Sequence, residues 1–269
     1  MVLISLLWSL LSPTVVASTV YVAAASNFAT TLRLLAESFQ AGSSHRLKIS
    51  TASTGTLFAQ IRHGAPFDVF LAADAERPRL LVEDGYAIRD SLFTYAVGKL
   101  VLWRPLDCDG LQEDARRAPA SEDTVGPRML TDLSRSLGAR LAIANPKTAP
   151  YGKAAEETLR FLGLWRGLQS GLVRGENIGQ TYQFVISGAA EMGFVALSQL
   201  QNSSCRKEDR KDAQLWIVPV SLYTPLHQQA VLLTLGQGNP GAKGFWLFLQ
   251  SPEAREVIRS QGYGVSNGL

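Results

Sequence analysis

The sequence contains few cysteines, few histidines and almost no excess of charge, and each shortage excludes a class of protein. Its 269 residues include two cysteines and three histidines, the latter at positions 45, 63 and 227. Two cysteines are too few for a disulfide scaffold or a four-cysteine zinc site, and the histidines share no metal-ligand spacing. Lys and Arg number 26 against 23 Asp and Glu, which gives a formal net charge of +3. So close a balance argues against a nucleic-acid partner, which favours a basic patch.

Long apolar runs and catalytic motifs are also missing. Charged residues make up 18% of the chain and apolar residues 46%, proportions that exclude a disordered protein. The length allows one large domain or two medium ones. The chain contains no GxGxxG, P-loop, GxSxG or HExxH motif, so no sequence pattern indicates an enzyme.

The N-terminus is uncharged as far as Arg33 and begins with the apolar run Val2–Leu11. This run is about ten residues long, roughly half of what a membrane span requires. Pro13 interrupts it, and Val15–Ala17 offers small residues at a cleavage site. We therefore predict a signal peptide over residues 1–17 and an exported mature chain, although no Lys or Arg precedes the apolar run. The alternative interpretation is a buried first strand and loop.

From residue 19 onward, apolar runs of strand length alternate with segments of helical spacing, and glycines follow most of the helical segments. The predicted strands are Thr19–Ala25, Leu47–Ser50, Phe67–Ala72, Leu141–Ala144, Leu172–Arg174, Met192–Leu197, Leu215–Val220 and Gln229–Thr234. The predicted helices include one carrying Phe28, Leu32, Leu35 and Phe39, then Thr56–His63, Pro78–Asp84, Tyr151–Leu162, Gly179–Ser187, Pro240–Gln250 and Pro252–Gln261. This alternation predicts an α/β protein with mostly parallel sheets flanked by helices.

The segment Phe93–Trp103 is longer than a typical strand, and polar, irregular stretches follow at 105–136 and 201–214. We interpret it as a crossing between two domains. The first lobe is predicted to comprise residues 18–97 and 223–269, and the second residues 98–222. Two crossing segments make a hinge, with a ligand cleft between the lobes.

The predicted strand-to-helix junctions are polar but carry no charge. They read Ala25–Phe28, Ser53–Thr56, Ala149–Gly152 and Asn177–Gln180. In open α/β sheets, ligands bind beyond the carboxyl ends of the strands. Helix N-termini there offer unpaired N–H groups to an anion, so the junctions indicate an anion site. The alternative for each junction alone is ordinary helix capping. Asp68 and Asp74 flank one strand end and either orient backbone or hold a protonated ligand.

Several motifs occur in order along residues 19–265. They are AAASNF at 23–28, STGTLFAQIRHGAPFDVFLAAD at 53–74, FTYAVGKLVLW at 93–103, NPKTAPYGKAAEETL at 145–159 and GFVALSQL at 193–200. Together these motifs resemble the periplasmic molybdate-binding proteins of bacterial ABC importers. The resemblance implies the two-lobed type II periplasmic-binding-protein fold, with molybdate or tungstate in the cleft. It further implies a monomeric periplasmic receptor without catalysis, cofactor or cation site, whose partner is the membrane permease of an ABC importer.

The same resemblance implies which residues contact the oxyanion. These are Ser26, Asn27, Thr54, Tyr151 and Ile178, the last two through their backbone N–H groups. Two positions depart from the family pattern: Ala196 stands where one branch has a tyrosine, and Thr54 where serine is usual. Both departures bear on selectivity, so a receptor of the same fold for sulfate or thiosulfate is the alternative.

We predict a Cys108–Cys205 disulfide, because an exported chain enters an oxidising compartment and its two cysteines flank the polar stretches of the second lobe. The alternative is two unrelated thiols. Cα atoms more than about 7 Å apart would exclude the bond.

Overall fold

The computed structural model describes residues 17–105, 122–136, 138–201 and 214–265. Cys108, Cys205 and all but the last residue of the predicted signal peptide lie outside these ranges. The disulfide therefore stays a prediction, and counting free thiols in denaturant with and without reductant is the direct check. Among the described residues, no helix combines the length and apolarity that a membrane crossing requires.

The described residues form ten strands and ten α-helices. The strands are β1 (Thr19–Ala25), β2 (Arg46–Ala52), β3 (Val69–Leu71), β4 (Phe93–Gly98), β5 (Leu100–Arg104), β6 (Leu141–Ala144), β7 (Leu172–Gly175), β8 (Met192–Ala196), β9 (Gln214–Ile217) and β10 (Leu226–Leu232). The helices are α1 (Ala29–Ala41), α2 (Thr54–Arg62), α3 (Glu76–Glu83), α4 (Glu122–Arg135), α5 (Pro150–Phe161), α6 (Trp165–Leu168), α7 (Ile178–Ile186), α8 (Leu197–Gln201), α9 (Pro240–Phe248) and α10 (Pro252–Ser260).

The strands pair into two separate five-stranded sheets. The first has the order β2-β1-β3-β10-β4 and the second β7-β6-β8-β5-β9. In each sheet three strands run parallel, β1 with β2 and β3, and β6 with β7 and β8. The remaining two strands of each sheet pair antiparallel. The predicted α/β class with mostly parallel sheets is confirmed. We call the first sheet and its helices lobe 1, and the second sheet and its helices lobe 2.

Both faces of each sheet are covered by helices, which explains why the central strands are apolar along their whole length. In lobe 1, α1, α9 and α10 pack on one face through residues such as Leu32 and Phe245, and α2 and α3 pack on the other. In lobe 2, α4, α5 and α6 cover one face, and α7 and α8 cover the other. Each fully buried Leu or Phe contributes about 1.5–3 kcal/mol of transfer free energy, so each lobe has a core of its own.

The long apolar segment Phe93–Trp103 is two strands in two different sheets. β4 ends at Gly98, Lys99 is exposed between them, and β5 starts at Leu100. Gly98 lies where both lobes meet, because a Cβ built on it would stand 2.2 Å from Tyr151 Oη and 2.6 Å from Gln228 Nε2. Any side chain at this position would therefore separate groups that belong to opposite lobes.

The prediction of an irregular stretch over residues 105–136 is wrong for its last part, where α4 runs from Glu122 to Arg135. Gly126 and Pro127 inside the helix are residues that normally interrupt one. Tertiary packing accounts for the glycine, since a Cβ on Gly126 would lie 1.9 Å from the Trp216 ring. Elsewhere the predicted helices and strands are found, with ends that differ by a few residues.

We expect Gly98→Ala to lower the free energy of unfolding by about 1–3 kcal/mol, because the added methyl overlaps the Tyr151 hydroxyl and the Gln228 carboxamide. Urea unfolding measures the change. Gly238→Ala is the matched control, since a Cβ there meets nothing within 4 Å. Equal stability of the two variants would contradict the close approach at Gly98.

Candidate anion-binding site

A small cavity lies between the lobes, at the ends of strands where helices begin. Its lining residues are Ala25, Ser26, Asn27, Ala52, Ser53, Thr54, Ala73, Ala149, Pro150, Tyr151 and Ile178. All five residues predicted to contact an oxyanion are therefore brought together. The cavity volume is about 10 Å³, close to the space that one small occupant requires. A cavity of this size favours a compact ligand.

Ser26 begins a short 3₁₀ turn, Ser26–Phe28, between β1 and α1. Its hydroxyl caps neither this turn nor α1. Instead Ser26 Oγ accepts a hydrogen bond from the N–H of Gly179 in the other lobe, at 3.3 Å. A hydroxyl that accepts in this way still has its own proton to donate, and Ser26 gives that proton to no described residue.

Thr54 is the first residue of α2 and is completely buried. The cap of this helix is Ser53, whose Oγ accepts from the N–H of Thr56 at 3.3 Å. Thr54 Oγ1 accepts from the Ala73 N–H at 3.0 Å and keeps its proton. The capping interpretation is therefore wrong for both Ser26 and Thr54, and each hydroxyl is available as a donor to the cavity.

Tyr151 and Ile178 line the cavity at the starts of α5 and α7, behind Pro150 and Asn177. The first N–H groups of a helix have no partner within it. The backbone N–H groups of Tyr151 and Ile178 donate to no other described residue. Asn177 caps α7 through Gln180, and α5 has no side-chain cap. Both helices therefore direct unpaired donors and positive dipole ends to the same place.

Asn27 joins the cavity to a buried polar network. It is 3% exposed. Its Nδ2 lies 3.0 Å from Gln228 Oε1 and 3.1 Å from Tyr263 Oη. Its Oδ1 is buried with no hydrogen-bond partner among the described residues. Gln228, on β10, also reaches Tyr151 Oη from Nε2 at 3.2 Å. Sequence reasoning missed Gln228, because it lies between His227 and Gln229, just before the predicted strand, where no local signal distinguishes it from its polar neighbours.

No charged side chain lines the cavity. Asp68 accepts from the Tyr21 N–H at 2.7 Å, and Asp74 accepts from the Arg77 N–H at 3.0 Å. Both carboxylates thus orient backbone, one of the two roles that the sequence left open. Across the described ranges, no group of three His, Cys, Asp or Glu residues could hold a metal ion. The cavity combines donors without a cation, which suits an anion bound by hydrogen bonds and helix dipoles alone.

The tyrosines around the cavity are neutral. Burial raises the pKa of Tyr95 and Tyr151 well above the ordinary value of 10.0, and it raises the pKa of Tyr263 to about 12. Ala196, where one branch of the resembling family has a tyrosine, is buried and does not line the cavity. No hydroxyl therefore reaches the cavity from that position.

Hydrogen bonds between the lobes surround the cavity. The Gly55 N–H donates to the Thr148 carbonyl at 2.8 Å, and Arg77 Nη2 donates to the Lys147 carbonyl at 3.3 Å. On the opposite side, Ser198 Oγ donates to the Asn27 carbonyl at 3.3 Å. These bonds join the starts of α2 and α3 to the loop before α5, and they join the turn before α1 to the start of α8. The two lobes are therefore in contact on two sides of the cavity, which is a closed arrangement of the lobes.

Two α/β lobes joined by crossing strands, with an uncharged cavity between them, indicate a solute-binding protein of the type II periplasmic-binding-protein fold. The family model described as bacterial extracellular solute-binding protein matches residues 20–264. The chain belongs to this family of bacterial extracellular solute-binding proteins.

Relatives and a solved structure agree with this membership. The molybdate-binding protein ModA of Azotobacter vinelandii is 42% identical over 254 residues, which cover 93% of this chain and 91% of the relative. ModA of Rhodobacter capsulatus is 41% identical over 247 residues, 92% of this chain and 88% of the relative. The solved structure of the Azotobacter vinelandii periplasmic molybdate-binding protein superposes with a TM-score of 0.78 at 33% identity, covering 92% of this chain and all of that one.

The buried tyrosines predict a loss of stability in alkali. Their hydroxyls keep their protons in the folded chain, whereas an unfolded tyrosine loses its proton near pH 10. The unfolded state then binds fewer protons, so the free energy of unfolding falls as pH rises above about 10. Tyr263, with a pKa of about 12, accounts for about 2–3 kcal/mol of this loss by pH 12.

Urea unfolding between pH 8 and 12 measures the loss. Tyr263→Phe removes one titrating hydroxyl and should show a shallower decline than the unaltered chain. A free energy of unfolding that stays constant across this range would contradict the burial of these hydroxyls.

Proposed function

We propose that this protein is the periplasmic receptor that captures molybdate or tungstate and delivers it to the membrane permease of an ABC importer. The observation that carries the proposal is the closed, uncharged cavity in which donors from both lobes converge without protein acceptors. These donors are the hydroxyls of Ser26 and Thr54 and the backbone N–H groups of Tyr151 and Ile178, and Asn27 lines the same cavity. The protein acts by binding and release, without chemistry on its ligand.

The donors match a small, fully deprotonated oxyanion. Each oxygen of a tetrahedral dianion accepts hydrogen bonds, and none of them carries a proton at neutral pH. No carboxylate lines the cavity to accept the proton of hydrogen phosphate. The relatives at 42% and 41% identity are named for molybdate, which supports molybdate over the other oxyanions that share this chemistry.

The two lobes open and close around the ligand. The lobes comprise residues 18–97 with 223–269 and residues 98–222, and they rotate about the crossing at Lys99 and the return before β10. Since donors come from both lobes, the anion is fully coordinated only after closure. The ligand therefore stabilises the closed form by its differential affinity, and the permease recognises that form of the monomeric receptor.

Calorimetric titration of the purified chain with molybdate, tungstate and sulfate tests the ligand. We expect tight binding of molybdate and tungstate and much weaker binding of sulfate. Tight sulfate binding with weak molybdate binding would replace the proposal by the sulfate or thiosulfate receptor of the same fold. Absence of binding for all tetrahedral oxyanions would contradict the anion site itself.

We expect Ser26→Ala and Thr54→Ala each to weaken molybdate binding about ten- to a hundredfold. Each substitution leaves an oxygen of the buried anion without its donor, and a hydrogen bond to a charged group contributes roughly 1.5–3 kcal/mol. Thr54→Ser keeps the hydroxyl and should retain most of the affinity. Calorimetry gives the affinities and thermal unfolding gives the stability of each variant.

Ser251→Ala is the control for a lost helix cap. Ser251 caps α10 by accepting from the Ala254 N–H at 3.1 Å and does not line the cavity. This variant should lose about 1 kcal/mol of stability with unchanged affinity. If Ser26→Ala and Thr54→Ala behave like Ser251→Ala, these hydroxyls do not bind the ligand.

A further inference from the structure

The polar network behind the cavity has two conflicts. Tyr95 Oη lies 3.1 Å from the Ala72 carbonyl and 3.0 Å from Gln228 Oε1, but a hydroxyl has one proton for two acceptors. Asn27 Oδ1 is buried with no described partner. Gln228 is 0% exposed. These groups must therefore be satisfied by one another or by a ligand.

Rotating the carboxamides of Asn27 and Gln228 together by 180° removes these two conflicts and moves no heavy atom of another residue. Tyr263 Oη, which donates to the Asn27 carbonyl at 2.8 Å, then has a second acceptor in Asn27 Oδ1 at 3.1 Å. If the Tyr263 proton turns to Asn27 Oδ1, the Asn27 carbonyl keeps a donor in Ser198 Oγ at 3.3 Å. Gln228 Nε2 then donates one proton to Asn27 Oδ1 and the other to Tyr95 Oη, whose own proton goes to the Ala72 carbonyl. Gln228 Oε1 accepts from the Tyr151 hydroxyl. Asn27 Nδ2 takes the place of the unpartnered oxygen, and its N–H becomes a donor without a protein acceptor.

We propose that Gln228 is a positioning residue of the anion site, an inference that rests on the proposed function. Gln228 holds the Asn27 carboxamide with its N–H toward the bound anion, and the Tyr151 hydroxyl fixes the orientation of Gln228. In the opposite orientation Asn27 presents a carbonyl oxygen. That oxygen repels molybdate but accepts the proton of hydrogen phosphate, so Gln228 selects oxyanions that carry no proton.

The location of Gln228 links this selection to closure of the lobes. Gln228 lies on β10, where the pairing with β4 shifts register between Gln228 and Gln229. It contacts Asn27 in lobe 1 and the Tyr151 hydroxyl in lobe 2, and the missing side chain of Gly98 leaves room for that contact. Groups from both lobes therefore fix the orientation of the Asn27 carboxamide, and they can do so only when the lobes are closed.

Gln228→Met tests the inference, because methionine keeps the length of the side chain and removes its polar atoms. We expect molybdate binding to weaken about tenfold, and the preference for molybdate over hydrogen phosphate to narrow. In an Asn27→Ala background the same substitution should change molybdate affinity by less than about twofold, since the group that Gln228 orients is gone. An equal loss in both backgrounds would show a merely structural role and overturn the inference.

Gln229→Met is the matched control on the same strand. Gln229 Nε2 lies 3.3 Å from Thr94 Oγ1, away from the cavity, so this variant should keep both affinity and selectivity. If Gln229→Met loses affinity and selectivity as Gln228→Met does, the losses come from a disturbed strand β10, and the inference is overturned.

Tyr151→Phe keeps the inference testable if Gln228→Met does not fold. It removes the hydroxyl that faces Gln228 and keeps the backbone N–H assigned to the ligand. We expect molybdate binding about three- to tenfold weaker and a smaller loss when Asn27 is alanine. Full affinity and selectivity of Tyr151→Phe would overturn the inference. Failure of the unaltered chain to bind molybdate would instead contradict the proposed function.

Discussion

Burying a dianion without a counter-cation is the physical constraint on which the proposed site depends. A charge removed from water loses several kcal/mol or more of solvation, and here no Lys, Arg or His lines the cavity to compensate. Hydrogen-bond donors and helix dipoles have to supply the whole of the compensation. This demand explains why donors at four strand-to-helix junctions converge on one point, and why neither the Ser26 nor the Thr54 hydroxyl caps its own helix.

The α/β fold meets this demand because parallel strands end at the same edge of a sheet and the helices that follow begin there. Each lobe offers two such junctions, and placing the edges of the two sheets face to face brings the four together. The caps that α2 and α7 require come from the neighbours Ser53 and Asn177. Thr54 and the N–H of Ile178 are thereby left for a ligand. Small residues such as Ala25, Ala73 and Ala149 line the remainder of the cavity and let the backbone approach.

Local sequence patterns were sufficient for most of the fold and for the junctions at the edge of the cavity. The resemblance implied the five contact residues, and all five line this cavity. Apolar runs and helical spacing located the strands and helices, and the polar junctions located the cavity edge. Local patterns failed where packing between residues distant in sequence determines the structure. Helix α4 contains Gly126 and Pro127, which locally disfavour a helix, but it packs against Trp216. The same limit hid Gln228 and Tyr263, whose roles come from contacts with Asn27 across about two hundred residues of chain. Helix capping and ligand binding use the same residue types, so the sequence could not distinguish the two roles for Thr54. The structure distinguishes them, because Ser53 is the residue that caps α2.

In a binding site made of neutral donors, selectivity depends on the direction in which each hydrogen-bonding group points its proton, not on charge. A carboxamide presents a donor or an acceptor according to its rotation, and Asn27 therefore needs a neighbour that distinguishes the two orientations. The carboxamide of Gln228 can also be turned either way. Its orientation is fixed by the Tyr95 hydroxyl, which donates its one proton to the Ala72 carbonyl and can therefore only accept from Gln228. A chain of hydrogen bonds with fixed donor directions thus extends from the Ala72 carbonyl through Tyr95, Gln228 and Asn27 to the ligand. Because the Tyr151 hydroxyl enters this chain from the second lobe, closure and the choice of anion become parts of the same hydrogen-bond network.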